Sequence, residues 1–461
     1  MKKRLLLPFL CLMFVLGCSK NETDPIQQIE LNPQISNIEL EQPLENFEPK
    51  YTEDEINAFY EEWNQLEPTK ISVEKWNYSN KKKQGRCGNN QSPLYLDDNG
   101  VTIKSRKCKR SLIGEKHILK GVEYEIVDNH TLYWKVQKGE DVSKVVTTFV
   151  TNMNRLFYNQ TKFNQDISSW DTSNVRQMGG TFENAISFNQ DIGQWDVSKV
   201  RNMFEMFRGA FTFNQDIGQW DVSKVKNMYQ MFYCPEMEVG WSWLGGINYN
   251  SHLFNQDISK WDVSSVEDMY GMFRRAKLFN QDISKWDVSN VYDMSYMFAG
   301  AMYFNQDIGN WDVSNVTNMN SMFKGFGLFS KHGDPQGTSW RGTEFNQDIG
   351  KWNVSSVEDM GYMFYDAIYF NQDISKWDVS NVTDMGYMFA MEQYNFHIAN
   401  ARLSHKFNQD ISEWDVSNVT YCKHFSNTCN GRSGTSYNPP KLLSTYKPEF
   451  SNCHQGYRCY N

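Results

Sequence analysis

Between residues 163 and 411 the pentapeptide Phe-Asn-Gln-Asp-Ile occurs nine times, starting at Phe163, Phe188, Phe213, Phe254, Phe279, Phe304, Phe345, Phe370 and Phe407. Each copy places two amides beside a carboxylate, an oxygen-rich set of the kind calcium favours. A row of bare aspartates at strand spacing would repel itself. Structural duty accounts for the same residues without an ion. Asn and Gln can form ladders between stacked copies, and each Asp can cap a backbone turn. The structural reading is favoured, and neither a metal nor a cofactor is expected. The nine repeat tryptophans, from Trp170 to Trp414, invite a similar choice between a sugar-binding row and a core. Their constant phase beside Val or Thr points to the core.

Four cysteines, Cys422, Cys429, Cys453 and Cys459, crowd the last 40 residues. Their C-x6-C and C-x5-C spacings lack the tight loops of zinc knuckles, so two disulfides in a terminal cap are expected. Cys87 and Cys108 could pair across a hairpin, and Cys234, in the first insertion, is left over. The chain carries no P-loop, dinucleotide fingerprint, HExxH or nucleophile elbow. No catalytic residue is therefore nominated, and the chain is expected not to be an enzyme.

These side chains must be positioned by a repeat of 25 residues: FNQDI, two residues, Trp-Asp-Val-Ser, then a Val, Met, Met-Phe run. Self-similarity at that period implies a solenoid whose units bury their apolar faces against their neighbours. In the copy at Phe304, Ile308, Trp311 and Val313 have strand character. Val316, Met319, Met322 and Phe323 follow at i, i+3, i+6 and i+7, the spacing of one helical face. Ser314 stands where an N-cap belongs, and Ser264 with Glu267 and Ser355 with Glu358 read as capping boxes. The expected fold is an α/β repeat, a leucine-rich-repeat-like solenoid with a short strand and a short helix per coil. A small N-terminal β-rich module precedes it and a cysteine-containing cap follows.

The motif FNQDIxxWDVSNVxxMxxMF resembles the repeat of the BspA-like bacterial surface lipoproteins, and Leu94-Tyr-Leu-Asp-Asp-Asn-Gly-Val-Thr-Ile resembles the module ahead of such arrays. The resemblance spans about 94 to 425. It implies a cell-surface adhesion or interaction protein and supplies no catalytic residues.

Residues 1–17 pair Lys2, Lys3 and Arg4 with an apolar run, as in an export signal, and Val15-Leu16-Gly17-Cys18 resembles a lipobox. A lipid on Cys18 would anchor the protein in a membrane, with the outer membrane or cell surface as the expected location. Residues 18–50 read as a flexible tether, and 51–140 as a helix followed by the β-rich module. In that module Leu94-Tyr-Leu and Val101-Thr-Ile flank an Asp-Asn-Gly turn, Tyr124 to Val127 is strand-like, and Asn129 to Gly139 is helical. The helix is expected to shield the apolar edge of a worn first repeat beginning at Asp141. Repeats fill 141–420, and the cap takes 421–461. A run of lysines and arginines over 81–120 reads as a solvated face, with lipid phosphate or acidic glycan as the alternative contact. The net charge of -9 argues against a nucleic-acid partner.

Three connectors, near 234–250, 325–341 and 391–405, are far longer than the five residues of the other copies. They carry Trp241, Trp243 and Tyr249, then Phe326, Phe329 and Trp340, then Tyr394, Phe396 and His397. Such aromatics either fold as private cores or form a recognition surface for an unknown protein or glycan. The functional expectation is an adhesion or interaction scaffold. The alternatives are a surface hydrolase or metal-dependent enzyme using the insertions or the N-terminal module, and a structural spacer.

Overall fold

The computed structural model describes residues 92–235, 252–325, 342–391, 405–426 and 447–453, all within one compact unit of the chain. It opens with a two-stranded hairpin, β1 (Leu94–Leu96) and β2 (Ile103–Ser105), paired antiparallel with Leu94 opposite Ser105. Asn99 fixes the turn by accepting the N–H groups of Val101 and Thr102, while Gly100 takes the left-handed conformation the reversal requires. A 3-10 helix, Lys107–Leu112, leads to a second sheet in the order β3 (Lys116–Leu119), β4 (Val122–Asp128), β5 (Val145–Phe149). Between β4 and β5 lies α1 (Asn129–Gln137), capped by the Asp128 carboxylate on the Thr131 N–H.

This module is continuous with the repeats. β5 belongs to the worn first copy, and Leu132 and Val136 of α1 enter the same core as Val150, Met153 and Phe157. That is the shielding role read from the sequence. The edge strand β3 was not read there, because Glu115, Lys116 and His117 mask its alternation.

From Asn152 onward the copies stack in parallel, each contributing one bridge residue. The series runs Asn152, Gln177, Asn202, Asn227, Asp268, Asp293, Asn318, Asp359, Asp384, Tyr421. Around the bridge, N–H groups alternate between two fates. Those of Met203, Glu205, Phe207 and Gly209 donate to the next copy, at the carbonyls of Asn227, Tyr229, Met231 and Tyr233. Those of Met206, Arg208 and Ala210 close three-residue turns on Met203, Glu205 and Phe207.

The Val-x-x-Met-x-x-Met-Phe segment therefore differs from the helix its spacing suggests. A helix would spend every N–H internally, whereas here half of them join the copies. The residue before the second apolar position is left-handed in copy after copy, as at Arg155, Glu205, Gln230, Tyr296, Tyr362 and Tyr387. Consecutive turns closed by such a residue bring Met, Met and Phe inward as a helix would. The helical capping boxes are likewise replaced: the hydroxyls of Ser264 and Ser355 bond Asp262 and Asn353 two residues earlier, and Glu267 pairs with Lys226.

The core is a set of aromatic columns. Phenylalanines of the Met-Phe pairs, together with their counterparts Phe157 after Leu156 and Phe182 after Thr181, stack at 5.3 to 5.9 Å from Phe157 to Phe389. Each also lies 3.8 to 4.2 Å from the Phe of the following FNQDI. The nine repeat tryptophans are buried, and the indole N–H of each donates to a carbonyl of the preceding copy, as from Trp286 to Ile258 at 3.1 Å. Columns and bridges cross the long connectors unbroken, for example Phe213 on Phe254 at 6.1 Å.

At the far end Cys422 and Cys453 form a disulfide with Cα atoms 5.9 Å apart, and Phe450 packs on Phe425. Cys429 and Cys459 lie outside the described residues, as do Cys18 and Cys87; of Cys108 only the backbone is described. Cys234 is part of its copy and not of the insertion. Its N–H donates to Arg274, and its side chain is buried with Ile186 and Phe211. Among the described residues no helix is long and apolar enough to cross a membrane.

Candidate functional site

The polar letters of FNQD are occupied in holding the stack. From the second copy on, the N–H of each motif Asn donates to the side-chain oxygen of the Asn one copy earlier, as from Asn280 to Asn255 and Asn305 to Asn280 at 2.9 and 3.0 Å. The following Gln amide donates to the same Asn of the earlier copy. Each motif Asp accepts the N–H two residues on, as Asp282 does from Ser284. The serine hydroxyl and N–H hold Asp257, Asp282 and Asp410 below the usual carboxylate range. Among the described residues no cluster of three His, Cys, Asp or Glu is arranged to hold a metal ion.

Variation is concentrated elsewhere, at the x positions of Met-x-x-Met-Phe-x. These carry Tyr229, Tyr233, Tyr270, Arg274, Tyr296, Lys324, Tyr362, Tyr365 and Tyr387, all half-buried. Because successive copies place them in register, they form one strip. Tyr229 stacks on Tyr270 at 4.8 Å and Tyr362 on Tyr387 at 4.6 Å. The Arg274 guanidinium lies between the rings of Tyr233 and Tyr296, at 4.9 and 4.6 Å. The Lys324 ammonium sits over Tyr362 and Tyr365, at 4.7 and 5.0 Å. Burial and the neighbouring tyrosines push the Tyr362 hydroxyl up to about 12, so it stays protonated and can donate a hydrogen bond.

Toward the N-terminus the strip passes through Arg208, 5.4 Å from the Tyr233 ring, into a buried ionic quartet. Arg208 pairs with Glu183 at 2.6 Å and lies 3.8 Å from Glu205; Arg155 lies 3.8 and 3.5 Å from the same two carboxylates. Burial and then the Glu205 carboxylate push Glu183 up to about 7. Gly179 and Gly180 make room there: a Cβ at Gly179 would fall 2.1 Å from the Phe204 ring, and one at Gly180 2.9 Å from Arg155.

Residues 128–238, 244–334 and 336–405 match the model of a family described as Mycoplasma protein of unknown function, DUF285. The chain belongs to this family. No curated protein and no solved structure matches it. The matched segments of this family member contain the whole tyrosine and cation strip.

The sequence-derived candidates Trp241, Trp243, Tyr249, Phe326, Phe329, Trp340, Tyr394, Phe396 and His397 all lie outside the described residues. What is described is how the chain leaves and returns. Cys234 and Gly325 still donate to the next copy before the first two insertions. His252, Thr343 and His405 dock the returning chain on the backbone. The strip itself was missed in the sequence, although its signal is there: these positions change from copy to copy and are rich in Tyr and Arg.

Proposed function

We propose that the chain is an interaction scaffold whose tyrosine and cation strip recognises protein partners. The single observation carrying this reading is the register of the strip, in which positions that the stack leaves unconstrained hold half-buried tyrosines and cations. Tyr and Arg offer large contact area at low entropic cost and dominate binding hot spots. A protein partner is favoured over a glycan because the ring faces a sugar would stack on are covered by neighbouring rings, Arg274 or Lys324. Ring edges and hydroxyls remain, and they suit backbone and side-chain polar groups. The parallel stacking of copies supports a leucine-rich-repeat-like solenoid of the BspA-like kind, with turns in place of the helices. The aromatic insertions form a second contact region in this proposal.

The test compares two variants of the full chain against panels of glycans and extracellular proteins. One replaces Tyr270, Tyr296, Tyr362 and Tyr387 by serine; the other shortens all three insertions to five-residue connectors. The first is expected to lose affinity for a protein partner about tenfold or more per critical ring, with the far-ultraviolet spectrum unchanged. Full binding by the first variant and none by the second would move recognition to the insertions. Glycan binding indifferent to the four tyrosines would end the protein reading.

Export and lipid anchoring at Cys18 complete the proposal, resting on the basic and apolar leader before Gly17-Cys18. Cys18→Ser is expected to shift the protein from the detergent phase to the aqueous phase in phase separation. Unchanged partitioning would remove the anchor.

A further inference from the structure

Two of the three long connectors return to the stack through a buried histidine in the same register, two residues before the FNQDI phenylalanine. His252 Nε2–H donates to the Phe207 carbonyl at 3.0 Å, and the Phe254 N–H donates to His252 Nδ1 at 3.2 Å. His405 repeats the arrangement on Phe364 and Phe407, at 3.1 and 3.2 Å. Phe232 and Phe389 meet the two rings edge-on. Both rings are buried, and the paired bonds define a neutral imidazole with the proton on Nε2. The remaining connector returns through Thr343, whose hydroxyl donates to the Phe323 carbonyl at 3.2 Å and does not titrate at any physiological pH.

We propose that the copy junctions at His252 and His405 are acid-labile seams, opened by imidazole protonation, while the Thr343 junction is indifferent to acid. A proton on Nδ1 would replace the acceptor of a backbone N–H with a second donor and bury a charge beside phenylalanine rings. The register neighbours of His252 are Phe211 and Lys277, and Cys234 lies close enough to influence Lys277. Next to His405 the register holds Ile368. Among the described residues the influences on both rings are burial and then the backbone carbonyl of Phe207 or Phe364.

Burial holds both imidazoles down to about 4. Protonation is thus easier in the opened chain, where histidine titrates near 6.5. Each seam is at full strength above about pH 6.5 and weakens as pH falls toward about 4, by about 30-fold in the opening equilibrium at pH 5.

Hydrogen exchange on the full chain, corrected for intrinsic rates, tests this at pH 7 and pH 5. Protection of the Phe254 and Phe407 amides is expected to fall about 20-fold, with the Glu344 amide at the threonine junction unchanged. The double variant His252→Thr, His405→Thr, borrowing the residue of the third junction, is expected to abolish the acid response. Equal loss at Glu344, or persistence of the response in the double variant, would overturn the proposal. Should that variant not fold, titration of the imidazole C2 protons in the unaltered chain decides. Midpoints well below the ordinary value uphold the seams, and midpoints near 6.5 dismiss them.

Discussion

Trp286→Ala is expected to destabilise the stack by about 3 to 5 kcal/mol, the range for removing a large aromatic from a packed core. Trp286 sits in a middle copy, covered on one side by Trp261 at 6.4 Å and bonded through its indole N–H to the Ile258 carbonyl. Truncation opens a cavity and takes the indole donor from that carbonyl, which keeps the Trp261 N–H. In a stack stability is a sum of unit and nearest-neighbour contributions, so the loss should spread to the copies on either side. Urea denaturation followed by tryptophan fluorescence should show a lowered midpoint, and exchange should show lost protection at Met269 and Met294 before the ends. A midpoint within error of the unaltered protein would mean that the row is not the core its burial indicates.

The inward residues of this fold were legible in the sequence because every copy repeats them. Trp, Val, Met and Phe recur at fixed phase, and the roles of Asn164 and its counterparts as a ladder and of each Asp as a turn cap follow from the cost of stacking bare polar groups. Backbone path was less legible. Spacings of three and four residues are shared by helices and by successive three-residue turns, and a left-handed residue at Tyr296 or Tyr362 carries no glycine to announce it.

The outward strip escaped for a different reason. Its tyrosines look like ordinary variation until register places Tyr229 on Tyr270 and Arg274 between Tyr233 and Tyr296. His252 and His405 were hidden by belonging, in sequence, to long irregular connectors. Cys422 could be assigned to a disulfide from its neighbourhood, but its partner Cys453 could not be chosen among three cysteines by spacing alone.

Arg208→Met is the substitution expected to separate the ionic quartet from the rest of the stack. Arg155 and Arg208 set two guanidinium groups against the carboxyl groups of Glu183 and Glu205, and methionine would leave both carboxyls sharing Arg155, at 3.8 and 3.5 Å. Removing one partner of such a buried group costs about 3 to 5 kcal/mol, because the remaining charge is stranded. The cost should depend on pH in a defined sense. Glu183 is already pushed above the carboxylate range by burial and Glu205, so its protonated form favours the folded state. That contribution is full below the unfolded carboxyl range and is lost as pH rises through about 7. Without Arg208 the carboxyl is pushed higher still. The variant's deficit relative to the unaltered protein should therefore grow from pH 5 to pH 8, while the histidine seams, common to both proteins, cancel in the difference. Adding Glu183→Gln to Arg208→Met should recover part of the loss at pH 8 by removing the stranded charge. A deficit that is flat with pH, or a double variant no better than the single one, would show that Arg208 acts through its packing on Tyr233 and not through its charge.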